Sequence, residues 1–261
     1  MNRKYALVDL EPNLTLGAGL AHGGTDIVFG WTPIEIPTGA CSIKMITSII
    51  TGTNGAAGNT HDLNLYFARS INGVAPTTFG TEHGAAAAAT TVGFRKNIIG
   101  YARVDFSTTD DADYLVSYNV LGSRTAGSAD NTPNSGEMYN VVLQGDPMYS
   151  STKGYQTIWV AGGGAGAFDF GTDVDLNMGS SANVAADMTG ADVALTVSGT
   201  DATIVFSPGD QIVGHTNTVT MEVVSVTDAT NMIVKNVSAQ IDHAEQLMFR
   251  NPIKLMIGLE Y

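Results

Sequence analysis

Short runs of β-branched and aromatic residues, each closed by Gly, Pro, Asn or Asp, recur along the whole chain, while helical periodicity is almost absent. Runs of that length cannot present the repeating apolar stripe of an amphipathic helix, but they match the usual length of a strand. The chain is therefore predicted to be all-β, with its strands closed into a sandwich or a barrel.

The first group of expected strands is Ile27 to Phe29, Ile34 to Ile36, Ser42 to Ile50 and Leu63 to Ala68, with turn chemistry at Pro37-Thr38-Gly39 and Thr53-Asn54-Gly55. Within Leu63-Asn64-Leu65-Tyr66-Phe67 and Ile34-Glu35-Ile36, apolar and polar positions alternate as a half-buried strand requires. A second group comprises Asn97 to Phe106, Tyr114 to Val120, Met138 to Leu143 and Tyr155 to Ala161. Between the groups, Ser70 to Thr91 holds Asn72-Gly73, Ala75-Pro76 and the alanine run Ala85 to Ala89, and reads as a long loop or arm. Gly122 to Gly136 reads as a second exposed loop, the place where such proteins usually meet partners.

From about Ser180 to His243 small residues give way to compact runs near Ala202 to Phe206, Gln211 to Val213, Val219 to Val226 and Asn231 to Val237, turned by Ser207-Pro208-Gly209-Asp210 and Thr227-Asp228-Ala229-Thr230. That is the scale of a small closed barrel, which removes sheet edges by closure. The last segment puts Ile253, Leu255, Ile257 and Leu259 on one face and Lys254, Met256, Gly258 and Glu260 on the other, so it is expected to complete the first domain's sheet. The resulting plan is an N-terminal arm over 1–24, a jelly-roll-like β-sandwich over 25–179 plus 247–261, and an inserted small barrel over 180–246.

At 261 residues the chain has ample length for a real core. Charged residues make up only 14 %, against roughly 25 % in ordinary soluble proteins, so part of the surface is expected to be covered by copies of the chain or by neighbours. A net charge of −13, with no cluster of Lys and Arg beyond Arg3-Lys4 and Arg95-Lys96, argues against nucleic acid as a partner. No run reaches the roughly 18 apolar residues of a membrane helix. One cysteine, Cys41, allows no intrachain disulfide, and the start Met1-Asn2-Arg3-Lys4-Tyr5 lacks the apolar core of a secretion signal, so synthesis and folding in a cytoplasm are expected.

A catalytic or metal site needs converging acids, bases, nucleophiles or ligands. The five histidines, His22, His61, His83, His215 and His243, have no second ligand at zinc-like spacing. Cys41 has no neighbouring base and reads as a small core residue. Asp173-Val174-Asp175-Leu176-Asn177-Met178-Gly179 has the alternating oxygens of a calcium loop, but Met178 stands at the glycine position and Val184 at the bidentate glutamate position, so a strand with a polar outer face accounts for it better. The glycines of Gly162-Gly163-Gly164-Ala165-Gly166 lack a following Lys-Ser/Thr and read as a bend between strands. Trp31 and Trp159 are the residues a sugar platform would use, yet they lie among apolar strand residues and read as core. Asp105 and Asp169 are an available carboxylate pair for glycoside hydrolysis, with nothing in sequence to orient them. No catalytic, cofactor-binding or metal residue is assigned, and the chain is expected not to be an enzyme.

Ile34-Glu35-Ile36-Pro37-Thr38-Gly39, Asp62-Leu63-Asn64-Leu65-Tyr66-Phe67-Ala68 and Ile71-Asn72-Gly73-Val74-Ala75-Pro76 resemble structural proteins of tailed bacteriophages, marine ones especially. The stretch with Pro208-Gly209-Asp210 and Val223 to Thr230 resembles the small SH3-like β-barrels of phage head and tail proteins. The resemblance implies a virion protein that decorates the capsid exterior: a homotrimer bound to the major capsid protein, without cofactor, nucleic acid or membrane. A tail, collar or fibre component and a carbohydrate-binding attachment module are the alternatives.

Overall fold

A computed structural model of the chain describes residues 3–15, 22–24, 26–51, 63–82, 89–104, 110–111, 115–120, 141–149, 154–166, 177–178, 190–199, 201–214, 218–241 and 246–261. In chain order the strands are β1 (Tyr5–Leu10), β2 (Ile27–Pro37), β3 (Cys41–Thr51), β4 (Leu63–Ala68), β5 (Ile98–Val104), β6 (Asp110–Asp111), β7 (Leu115–Val120) and β8 (Val142–Leu143). They continue with β9 (Tyr155–Gly164), β10 (Asn177–Met178), β11 (Val193–Ser198), β12 (Gln211–Gly214), β13 (Thr220–Asp228), β14 (Asn231–Lys235), β15 (Leu247–Phe249) and β16 (Ile253–Glu260). A 3₁₀ helix covers Ala89–Lys96, and one short helix, α1, covers Ala202–Val205. The protein is all-β, built from several antiparallel sheets that include a half-barrel.

Among the described residues three sheets form, with orders β1-β16-β3-β7-β6, β2-β9-β4-β5 and β10-β11-β14-β13-β12-β15, and with β8 also pairing β3. The first two face each other across a core in which Ile43, Ile46, Leu255, Ile257 and Leu259 join Ile34, Ile36, Leu63, Leu65, Phe67 and Val160. Alternation in β16 and β4 produces this directly: Leu255, Ile257, Leu63 and Leu65 are fully buried while Lys254, Met256, Asn64 and Tyr66 stand on the opposite faces. The buried side chains of the third sheet, Leu195, Val213, Val223 and Val234 among them, continue the same apolar cluster. Backbone bonds from Leu14 N–H to the Arg250 carbonyl (2.6 Å) and from Arg250 N–H to the Gln211 carbonyl (2.8 Å) lie along that continuation.

The C-terminal strand lies between β1 and β3, in the first sheet, as its alternation predicts. The two runs expected at Ile27 and Ile34 are one strand, kept paired with β9 through two register shifts between Ile27 and Thr32. Pro33 is accommodated because, among the described strands, β2 stands at the edge of its sheet, where a missing N–H leaves no ladder bond unmade. Tyr5–Leu10, expected as part of an arm, pairs with β16 over its full length. Gly162, Gly163 and Gly164 continue β9 rather than bending it, and only Ala165 and Gly166 depart from the strand. The reason is the Phe29 ring, which lies where a Cβ of Gly162 would stand, 2.3 Å from its Cε1.

Ala202 to Phe206, expected as a strand, begins with the helical turn α1 instead. Its β-branched residues favour a strand, but the Asp201 carboxylate accepts the Thr203 N–H (2.9 Å) and hydroxyl (2.6 Å), which caps a helix start. Val193–Ser198 was not among the expected strands, although Val193, Leu195 and Val197 alternate with Ala194, Thr196 and Ser198 and the structure buries Leu195 and Val197. The alanine run up to Ala88 and the loop at 122–136 lie outside the described residues.

Candidate functional site

Asn72 and Gly73 carry φ values of 51° and 76°, the left-handed pair that a two-residue hairpin turn demands and that the Asn-Gly dipeptide supplies at little cost. Ile71 and Val74 close the turn by exchanging both backbone bonds at 3.0 Å. A second turn follows β8: the Tyr149 N–H donates to the Asp146 carbonyl at 2.9 Å. The side chain of Asp146 joins the two. One carboxylate oxygen accepts the Gly73 N–H at 2.8 Å and the other accepts the Met148 N–H at 2.9 Å. These two N–H groups hold the carboxyl below its ordinary range, and the Arg69 guanidinium nearby acts in the same direction.

The surroundings fix this staple from behind. Gln156 on β9 accepts the Gly145 N–H (2.9 Å) through its side-chain oxygen and donates from its nitrogen to the carbonyls of Pro37 (2.8 Å) and Gly39. Asn97 donates to the Arg69 carbonyl at 2.7 Å, and the Trp159 indole N–H donates to the Ser70 hydroxyl at 3.3 Å. The Tyr149 ring lies 6.1 Å from the Trp159 ring. A cavity of about 190 Å³ opens between Arg69, Ser70, Ile71, Asn72, Asp146 and Pro147. In front of it the apolar side chains of Val74 (66 % exposed) and Met148 (71 % exposed) point into solvent, with Ile71 beside them.

With both oxygens of Asp146 taken by backbone donors, the carboxylate is a rigid anchor and a poor proton carrier. The arrangement orders two turns and presents apolar groups on them. No family model matches the chain. No curated protein matches its sequence either.

The residues weighed for chemistry fall elsewhere. Cys41 is buried, donates to the Pro37 carbonyl at 3.3 Å, and burial raises its thiol pKa, which disfavours the nucleophilic thiolate. Trp31 donates from its indole to the Thr77 carbonyl at 2.8 Å and packs on Phe79 and Phe94, with ring centroids at 5.0 and 6.3 Å. It belongs to an aromatic layer with Tyr66 over the outer face of the second sheet. Trp159, by contrast, lies next to the cavity. His22 is buried, and the four other histidines, Asp105, Asp169, Asp173 and Asp175 lie outside the described residues. Among the described residues no three His, Cys, Asp or Glu side chains gather as metal ligands would.

Ser70 to Thr91 was expected as a long loop or arm; the structure makes a tight turn at Asn72-Gly73 within it, and nothing in the sequence marks Asp146 as that turn's partner. The two are 73 positions apart, and an Asp before Pro signals only another turn.

Proposed function

We propose that this chain is a virion structural protein that decorates the capsid exterior and stabilises it by binding the major capsid lattice. The observation that supports this most is the stapled turn pair, where exposed Val74 and Met148 are held in place by Asp146. Exposed apolar groups on ordered backbone lose little entropy on docking, which is what a clamp between subunits requires. The low charge of the chain, 14 % of residues, suits the same use. The effect on the shell is mass action: a protein that binds only the assembled lattice stabilises it by RT ln(1 + [L]/Kd), about 2.7 kcal/mol at a hundredfold excess over Kd.

The test is sedimentation of purified protein with empty capsids that lack it. Saturable co-sedimentation is expected, weakened at least tenfold by Val74→Asp combined with Met148→Asp. Protein that stays in the supernatant at every concentration refutes the proposal.

A carbohydrate-binding attachment module is the second reading, favoured by Trp159 and Tyr149 beside the polar cavity. Glycan-array binding abolished by Trp159→Ala would replace the first reading with this one.

A further inference from the structure

We infer that Asn72 is a latent site of covalent modification, deamidation through the Gly73 nitrogen, and that the Asp146 carboxylate holds that nitrogen out of the reaction. This goes beyond the capsid-binding role and does not depend on it.

Asparagine loses its side-chain amide most readily when glycine follows, because a glycine nitrogen has no neighbouring side chain to hinder its approach. The chain has two such steps, Asn54-Gly55 and Asn72-Gly73. The first lies outside the described residues. At the second, Asn72 is exposed and lines the cavity of about 190 Å³, which has room for water.

The reaction needs no reagent other than water. The Gly73 nitrogen gives its proton to hydroxide and bonds to Cγ of Asn72. The Cγ–Nδ2 bond breaks, Nδ2 takes a proton from water, and ammonia leaves. The five-membered imide then adds one water and opens on either side of its nitrogen, giving aspartate or isoaspartate at position 72. Isoaspartate carries the main chain through an extra methylene, so the paired bonds of Ile71 and Val74 lose their register.

The structure opposes the first of these steps. Forming the N–Cγ bond removes the very N–H that donates to Asp146 Oδ2 at 2.8 Å, and a negative charge beside that nitrogen disfavours its ionised form. Asp146 does not act as the base instead. Both its oxygens already accept backbone N–H groups, and those bonds keep its pKa below the ordinary range. Asn72 itself is held at φ 51° in a turn that Ile71 and Val74 close with both backbone bonds. The nitrogen reaches Cγ only when this turn opens, and Asp146 ties it to the second turn through the Met148 N–H.

Trypsin separates the two Asn-Gly steps at Arg69, and residues 70–95 hold no side-chain amide besides Asn72, so amide loss in that peptide reports this site alone. The whole chain is kept in mildly alkaline buffer, amide loss is followed by peptide mass, and isoaspartate is followed by labelling with isoaspartyl methyltransferase. The folded chain should lose the Asn72 amide at least tenfold more slowly than the chain unfolded in guanidinium chloride, and Asp146→Ala should speed the folded chain about tenfold. Gly162→Ala, a core change of comparable cost away from the turn, should leave the Asn72 rate unchanged, which separates loss of the staple from general loosening. A folded chain that deamidates at the unfolded rate, an Asp146→Ala chain no faster than the parent, or a Gly162→Ala chain that matches Asp146→Ala overturns the inference. Should Asp146→Ala not fold, deuterium exchange at the Gly73 amide of the parent decides: slow exchange supports the lock, and exchange at the unfolded rate overturns it.

Discussion

The two sheets of the sandwich share one core but treat their outer faces differently. The outer face of the β2-β9-β4-β5 sheet is covered by the aromatic layer of Trp31, Tyr66, Phe79 and Phe94, so β9 is buried almost throughout and its sequence loses alternation. On the outer face of the β1-β16-β3 part, ion pairs take the place of packing: Lys44 with Glu260 at 2.7 Å, Arg3 with Glu260 at 3.0 Å, and Lys254 with Glu11 at 2.7 Å. A sheet covered twice draws stability from each strand on both sides. A sheet covered once keeps its alternation and leaves one face for other uses.

The largest effect is expected from truncation in the core that the two sheets share. Phe67, fully buried on β4, should cost about 3–5 kcal/mol when replaced by alanine, read by urea unfolding. A loss under about 1 kcal/mol would mean that the core closes over the gap.

Two glycines sharpen the contrast, because each has a neighbour where its Cβ would stand. At Gly162 the obstacle is the buried Phe29 ring at 2.3 Å, and at Gly258 it is Met45 Cγ at 2.4 Å, part of a flexible and partly exposed side chain. Gly162→Ala should cost about 1–3 kcal/mol as an overpacked core position does. Gly258→Ala should cost less, since Met45 can swing outward. Equal losses would show that the outer face is as tightly constrained as the inner.

Asp146→Asn should cost about 1–2 kcal/mol near neutral pH, because an amide oxygen can accept only one of the two N–H groups as the carboxylate now does. The folded protein lowers the Asp146 pKa below its ordinary 3.8. Its contribution is therefore complete above the unfolded value and fades as pH falls through the folded one. The gap between parent and variant, followed by urea unfolding against pH, should narrow in acid. A gap that widens there would refute the staple. The smallest effect is expected at Lys254→Ala, within about 0.5 kcal/mol and smaller still in high salt, since its carboxylate partners are exposed.

How much of this was legible in sequence follows from the same contrast. Strands with one covered face, such as Ile253–Glu260, announced themselves by alternation, and so did Leu63–Ala68 with its half-buried Tyr66. The tight turn at Asn72-Gly73 lay within a segment that read only as a long loop or arm. Strand β1 was missed because Leu7 and Tyr5 face outward while the small Ala6 faces inward, which inverts the expected pattern. The helix at Ala202 was missed because a side-chain cap overrode β-branched preference. Of the candidate site, the loop was visible but the tight turn and its anchor were not, since Asp146 and Gly73 meet only through the tertiary fold. The aromatic tryptophans divided, with Trp31 in a packed layer and Trp159 beside a cavity.

The ladder that joins β1 to β16 sets residues 4 and 261 directly across from each other. A pulling force applied between those positions would load the Lys4–Tyr261 bonds first and alone, opening the pair as a zipper instead of shearing all its rungs together. The two sites are also near enough for a short peptide to bridge. A chain rejoined there and cut open at another surface turn should fold, and a load between positions 4 and 261 would then fall on the covalent link instead of on the rungs of the ladder.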